Sequence, residues 1–456
     1  MSTDPARRAA PLRRAQYLGY AAGDVANNLA FSMSSMFLLL YYTDVVGISA
    51  AAAGTLFLVV RMWDAFADIF AGRLVDRTST RWGKFRPFLL FGSLPLLLLN
   101  VAIFSVPDLG EQGKLVYAYV SYALFGLAYS LVNIPYGSLA TAMTQEPTER
   151  SRLASMRVIG SNVAILLLAV AVAPQIEGSD DLQGSLTLTT SILVGIGLVL
   201  YLFTFRTARE QVQRDVAKVS ARETVRTLRQ NRPLVLLCLS SLSFLLGWFS
   251  LQTVTVYYAR DVLGSANYYI ILTVVQTVGT FAAALVIPKL VRTIGKKRAY
   301  LVLGVIAIVG ALGLAFAPES TPTFAIVLFG VLGIGLGGVN TLMWALEADT
   351  VEFGEWKTGF RTEGTSYAVF SFTRKAGQAL GAASAAFAIG LGGYVAGAAS
   401  QPGSAVDAIK FTAGIVPAFF VLIAVAIMMA YPLTEARFRE IVRDVAQRRA
   451  GASDEG

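Results

Sequence analysis

Eleven stretches of this chain run for about twenty residues or more without a charged side chain, and nothing else in the sequence constrains the fold so tightly. They cover residues 25–43, 88–107, 115–145, 158–176, 182–205, 233–259, 262–288, 299–318, 320–346, 376–406 and 411–434. An α-helix rises about 1.5 Å per residue, so roughly 20 apolar residues cross the hydrocarbon core of a bilayer. A twelfth apolar stretch, residues 49–70, falls between the first two and is interrupted by Arg61, Asp64 and Asp68. Charged residues make up 15% of the chain, against roughly 25% in soluble domains. The expected fold is an all-α membrane protein of twelve transmembrane helices.

Orientation follows from Lys and Arg, which resist translocation and collect on the cytoplasmic side. With both termini inside, the outer loops hold Lys114, Arg260 and Lys410, four cations (Arg61, Arg157, Arg374, Lys375) lie in helices, and the other 31 of 38 are cytoplasmic. An odd number of spans destroys this asymmetry. The net charge of +9 therefore reads as topology and attraction to anionic lipid headgroups, and no nucleic-acid partner is expected. One cysteine, Cys238, excludes an internal disulfide, and the absence of histidine excludes imidazole relays and histidine metal sites. Arg7, Arg8, Arg13 and Arg14 precede the first span without a small-residue cleavage site, so that span is expected to be retained.

The longest charged interior segment, 206–232, holds eight basic residues and follows the sixth span. It divides the chain into a six-helix bundle at 1–205, a cytoplasmic linker, a second bundle at 233–434 and a cytoplasmic tail at 435–456. Two such halves suggest a duplicated transporter. A faint echo agrees: Gly72-Arg73-Leu74-Val75-Asp76-Arg77 with Gly83-Lys84 follows span two, and Pro288-Lys289-Leu290-Val291-Arg292 with Gly295-Lys296-Lys297 follows span eight. Glycines cluster at 329–338, where they allow close helix approach, and Pro135 in span four removes one helix hydrogen bond.

A charge at mid-bilayer costs on the order of 3 kcal/mol, so Arg61, Asp64 and Asp68 facing lipid would cost roughly 9. Their i, i+3, i+7 spacing instead gathers them on one helix face, turned to protein or water. As a structural triad the arginine neutralises one aspartate and leaves the other over. A surplus buried carboxylate takes up a proton or binds a hard cation through oxygen, and either outcome describes an ion-coupling site. Span one opens with a polar face of Tyr20, Asp24, Asn27 and Asn28, which offers further oxygens. Arg157 and Arg374 stand near the starts of spans five and eleven, where long side chains snorkel to the surface. Lys375, with a charge-free run after it, is expected inside.

In this order the residues resemble the glycoside-pentoside-hexuronide:cation symporter family, the melibiose-carrying branch of the major facilitator fold, and within it the glucuronide-carrying members. The resemblance rests on Gly23-Asp24-Val25-Ala26-Asn27-Asn28, Asp64-Ala65-Phe66-Ala67-Asp68, Arg81-Trp82-Gly83-Lys84-Phe85-Arg86-Pro87 and Val132-Asn133-Ile134-Pro135-Tyr136-Gly137. In the second half it rests on Met343-Trp344-Ala345-Leu346-Glu347-Ala348-Asp349 and Ser371-Phe372-Thr373-Arg374-Lys375-Ala376-Gly377-Gln378. It implies that Asp64 and Asp68 bind the cation, with Asn133 beside them. It also implies that Asp24, Asn28, Asn133, Arg157, Lys375, Tyr20 and Trp344 bind substrate. The loop residues Asp76, Arg77, Glu355, Lys357 and Arg361, together with Arg61, are expected to gate. One position departs from the melibiose-carrying pattern: Asn133 stands where that branch has an aspartate, and Gly137 where it has a sugar-stacking tryptophan.

The expected function is symport of a glycoside bearing a uronic acid, with Lys375 and Arg157 answering its carboxylate and Asp24 accepting sugar hydroxyls. No cofactor and no enzymatic activity are expected, and the chain is expected to work as a monomer in the plasma membrane. Without a carboxylate at 133 the coupling ion is expected to be H+ at Asp64 and Asp68, with Na+ there as the alternative. Another sugar or a lysophospholipid is the alternative substrate.

Overall fold

The structure, a computed structural model, describes residues 11–144, 146–211, 230–318, 321–359, 363–398 and 400–454. Most of the expected linker at 206–232, Arg361, and the side chain of Asp76 lie outside the described residues. The chain divides into two compact units, residues 1–216 with 396–398, and 217–395 with 399–456.

The first unit holds α1 (Arg14–Leu40), α2 (Ala50–Arg77), α3 (Arg86–Ile103), α4 (Glu111–Met143), α5 (Pro147–Gly178) and α6 (Leu182–Thr207). The second holds α7 (Arg232–Tyr257), α8 (Tyr268–Ala315), α9 (Pro322–Thr358), α10 (Glu363–Leu391), α11 (Gly403–Met429) and the tail helix α12 (Glu435–Asp454). Helix starts are written locally. Proline occupies the first turn of α3, α5, α7 and α9, where its missing N–H costs nothing. The Asp181 and Asn231 side chains accept from the N–H groups of Gly184 and Leu234 at the starts of α6 and α7.

Nine described helices are long and apolar enough to cross a membrane: α2 to α9 and α11. Helix α8 supplies two crossings, broken at Gly295, whose φ of 79° is open to glycine alone among common residues. The polar-faced α1 and α10 complete twelve. Large apolar side chains stand exposed along them, Met62, Phe66, Ile69 and Phe70 on α2 for example, a surface that suits lipid and not water.

Each unit has the same internal plan. In the first, α1 lies on α5 and α6, α2 on α4, and α3 on α4 and α6; in the second, α7 lies on α10 and α11, and α8 on α9 and α11. The duplication reaches the backbone. Helix α1 runs into a π-turn at Tyr41–Val45 and α7 into one at Tyr258–Val262. Val46 and Leu263 donate to Tyr41 and Tyr258, Ile48 and Ser265 to Tyr42 and Ala259, and Gly47 and Gly264 both sit at φ 82°.

The repeated basic loops after spans two and eight are anchored to neighbouring helices. Glu210, beyond α6, accepts from the backbone N–H groups of Lys84, Phe85 and Arg86 at 2.9, 2.8 and 3.1 Å, and Arg86 donates to the Phe205 carbonyl. In the second unit Lys296 pairs with Asp349 of α9 at 2.6 Å, while Lys297 donates to the carbonyls of Met429 and Tyr431 at the end of α11.

Candidate functional site

Close helix contact in the first unit places its charges. Gly19 and Gly23 form a small-residue step on α1. A Cβ at Gly19 would lie 1.7 Å from the Thr207 hydroxyl of α6, and one at Gly23 would lie 2.6 Å from the Tyr136 ring of α4. Gly160 of α5 is as tight: its Cβ would stand 2.8 Å from the Ala21 carbonyl and 3.1 Å from Asp24. Asp24 is thereby pressed between α1 and α5, with 4% of its surface exposed.

Both Asp24 oxygens are used. Oδ1 accepts from Nε of Arg157 at 3.1 Å and Oδ2 from Asn28 at 3.0 Å. The expectation that Arg157 snorkels gives way to this ion pair. Helix α5 starts at Pro147, ten residues before it, so the charge-free run at 158–176 marks the apolar part of the helix and not its beginning. The polar face of α1 is also sorted more finely than its spacing shows. Asp24 and Asn28 join Arg157, whereas Asn27 accepts from Tyr201 of α6 at 2.8 Å. Tyr20 is fully buried, stacked on Tyr136 at 4.8 Å.

The second cluster sits between α2 and α4. Arg61 donates to Asp64 at 3.3 Å, with both side chains under one-fifth exposed, and its guanidinium lies over the Phe31 ring. Asp68 accepts from the Ser130 hydroxyl at 2.7 Å. Helix α4 meets Asp64 with a glycine: a Cβ at Gly126 would fall 2.0 Å from Asp64 Oδ1. Gly126, Ser130, Asn133 and Gly137 follow at intervals of four, three and four, one face of a helix. Gly126 and Ser130 meet the α2 aspartates, and a Cβ at Gly137 would be 3.9 Å from Arg157. Asn133 lies half-buried between them and makes no hydrogen bond among the described residues. Phe31 stacks on Tyr129 at 5.3 Å, which joins α1 and α4 beside Arg61. Gly126 and Ser130 escape the sequence reading because neither is charged; the signal was their i+4 spacing on a helix that also carries Asn133.

In the second unit, the helix of the eleventh span begins and ends earlier than 376–406. Helix α10 is Glu363–Leu391, so Arg374 and Lys375 stand three turns inside it. Arg374 does not snorkel; it is only 9% exposed. One guanidinium nitrogen donates to Asn340 of α9 at 2.7 Å and another to the Met343 sulfur at 3.7 Å. The Trp344 ring, itself part-exposed, lies beneath it at 4.8 Å. Lys375 is half-buried next to it.

The expected gate residues separate. Arg61 belongs to the α2 cluster, while Arg77 is exposed in the last turn of α2. Glu355, Trp356 and Lys357 form the closing turns of α9 and not a loop, with Gly359 ending the helix at φ 77°. Trp356 donates to Asp444 of α12 at 3.0 Å, which ties the tail helix to α9.

A twice-repeated bundle of twelve apolar crossings, with ion pairs held inside, defines a secondary transporter of the major facilitator fold. Solved structures share the fold: a bacterial homolog of the human lysosomal transporter Spinster, with a TM-score of 0.68 at 13% identity over 95% of this chain and 99% of that one, and the D-xylose-proton symporter, with 0.63 at 15% over 92% and 98%. The chain belongs to the MFS/sugar transport protein family, whose model matches residues 19–435, and with it to the glycoside-pentoside-hexuronide symporters. It is 46% identical to the glucuronide carrier protein homolog of Escherichia coli (strain K12), over 95% of both chains. It is 34% identical to the isoprimeverose transporter of Lactiplantibacillus pentosus, over 90% of this chain and 87% of that one. The chain is a multi-pass membrane protein, and its homologues indicate a sugar or glycoside symporter.

Proposed function

We propose that this protein imports a glycoside bearing a uronic acid together with a proton, by alternating access in the plasma (inner) membrane with both termini cytoplasmic. The observation that carries the reading is the pair of acidic clusters in the first unit. Asp24 accepts from Arg157 and Asn28, Asp64 from Arg61, and Asp68 from the Ser130 hydroxyl. The first cluster supplies carboxylate oxygens for sugar hydroxyls. The second supplies the proton site, its two carboxylates standing about one turn apart on the α2 face that meets α4.

The α4 face supports a proton over Na+. A hard cation seeks several oxygen ligands, preferably charged, and the stripe that passes both clusters offers Ser130 and Asn133. The glucuronide substrate is supported by the 46% identity to the glucuronide carrier protein homolog.

The test is uptake of a labelled aryl glucuronide into proteoliposomes, with pH and Na+ gradients imposed separately. Accumulation should follow the pH gradient and collapse with a protonophore. Accumulation that follows Na+ and ignores the protonophore would reverse the coupling ion.

A further inference from the structure

Several cations in the described helices of this protein are answered by carboxylates. Arg157 has Asp24, Arg61 has Asp64, and Lys296 has Asp349. Arg374, more than nine-tenths buried and three turns inside α10, has no carboxylate within ion-pair distance among the described residues. Its partners are one amide oxygen, one thioether sulfur and the faces of Trp344 and Phe370 at 4.8 and 5.6 Å. A guanidinium has five N–H donors, and a neutral amide with a weak sulfur acceptor leaves most of that capacity unused. Burying such a group without a counter-charge is costly unless an anion arrives to share the site.

The surroundings say which anion. Trp344 is 39% exposed and Tyr367 46%, their rings stacked 6.0 Å apart at 29°, while the guanidinium beside them is covered. An open aromatic shelf next to a buried planar cation fits a flat-faced ring that carries a carboxylate. The ring's apolar face covers the shelf and the carboxylate meets the fork of the guanidinium in two parallel hydrogen bonds. Asn340, one turn before Trp344 on α9, fixes the guanidinium, so the fork is held before the ligand comes.

We propose that Arg374, on the Trp344–Tyr367 shelf, receives the carboxylate of the transported glycoside and sets the preference for uronic acids over neutral sugars. This rests on the reading that the substrate is a glucuronide. It moves the acid-recognising role from Arg157, which is engaged by Asp24, and from Lys375, to the residue before it.

The test uses the full chain in proteoliposomes and a matched pair of substrates, nitrophenyl glucuronide and nitrophenyl glucoside, which differ only in carboxylate against hydroxymethyl. Half-saturation for counterflow is measured for each. The wild type should favour the glucuronide, and Arg374→Gln should cut that preference on the order of 100-fold, the usual scale for losing one partner of a buried charged pair. Arg374→Lys, which keeps the charge but not the fork, should recover part of it. Glucoside counterflow by the same preparation reports that the variant is folded. A glucuronide-to-glucoside ratio unchanged in Arg374→Gln, or one flattened by Lys375→Gln instead, overturns the assignment while leaving the glucuronide reading intact. A wild type that carries only the neutral sugar overturns both.

Discussion

The two units share a packing plan but handle charge in opposite ways. In the first, interior cations sit against carboxylates, and the loops are anchored by acids: Glu210 gathers three N–H groups and Glu149 a fourth, that of Leu12. In the second, the equivalent loop is anchored by lysines that reach carbonyls and Asp349, and α10 keeps a buried arginine against an amide and aromatic faces. Duplication therefore conserved where the helices touch and not which charges they hold. A closed set of charges suits ion handling, because a proton exchanged there changes a balance already made. An open cation suits a ligand that brings its own negative charge.

Breaking the Asp24–Arg157 pair should have the largest effect. Asp24→Leu or Arg157→Leu strands the partner; with Arg157 about one-third exposed, a stability cost of about 1–3 kcal/mol is expected, below that of a fully buried pair. Uptake should fall at least about 100-fold on the scale of losing a buried charge partner. The double variant should regain most of the stability and none of the transport. Thermal unfolding of the purified variants checks the first point and glucuronide uptake the second. Singles and double with equal stability would show that the pair is not buried as a unit.

The fold was legible because membrane crossing is a composition rule: charge-free runs of about 20 residues are visible without any tertiary information. What spacing could not reveal is how far a helix continues once charges begin. Arg157 and Arg374 looked like the edges of spans five and eleven, yet α5 and α10 each begin about three turns earlier, since protein partners replace water for those side chains. The i, i+3, i+7 pattern located the Arg61–Asp64–Asp68 face, but not Gly126, whose only contribution is absent volume. The polar face of α1 divided between Arg157 and Tyr201 for the same reason: which neighbour an amide meets depends on α5 and α6 and not on α1.

That absent volume gives the second prediction. Gly126→Ala puts a methyl where Asp64 Oδ1 now lies, so the carboxylate must turn away from α4. Proton-coupled accumulation should drop about tenfold, with little change in unfolding temperature, since one displaced ion pair of this exposure is worth on the order of 1–2 kcal/mol. Gly195→Ala on α6 is the control: its Cβ meets nothing within 4 Å, and the substitution should be neutral or stabilising by about 0.5–1 kcal/mol. Equal transport by the two variants would remove Asp64 from the coupling site.

The loop anchors come next. Glu210→Ala strips the cap from three N–H groups at the start of α3 and should cost about 1–2 kcal/mol. Lys296→Met leaves Asp349 without its lysine and should cost a similar amount. The comparison of the two units sharpens if chloride or phosphate partly restores Glu210→Ala, by binding the exposed N–H groups, and leaves Lys296→Met unchanged.

The smallest effect should be one of pH, at Glu149. Partial burial pushes its carboxyl up, but hydrogen bonds from the Thr144 hydroxyl, the Leu12 N–H and Tyr17, with Arg152 nearby, outweigh that and leave it below the ordinary carboxylate value. A depressed carboxylate stabilises the fold above its unfolded pKa, about 4.3 for glutamate, and that stability is lost as pH falls through the lower folded value. Unfolding temperature measured from pH 6 downward should therefore fall less steeply at the acid end in Glu149→Gln than in the wild type. The difference should stay under about 1 kcal/mol because the group is only part-buried and solvent screens it. Superimposable acid limbs would mean that the Leu12 segment is held by its apolar side chain alone, and that of the first unit's acidic anchors only Glu210 carries its loop.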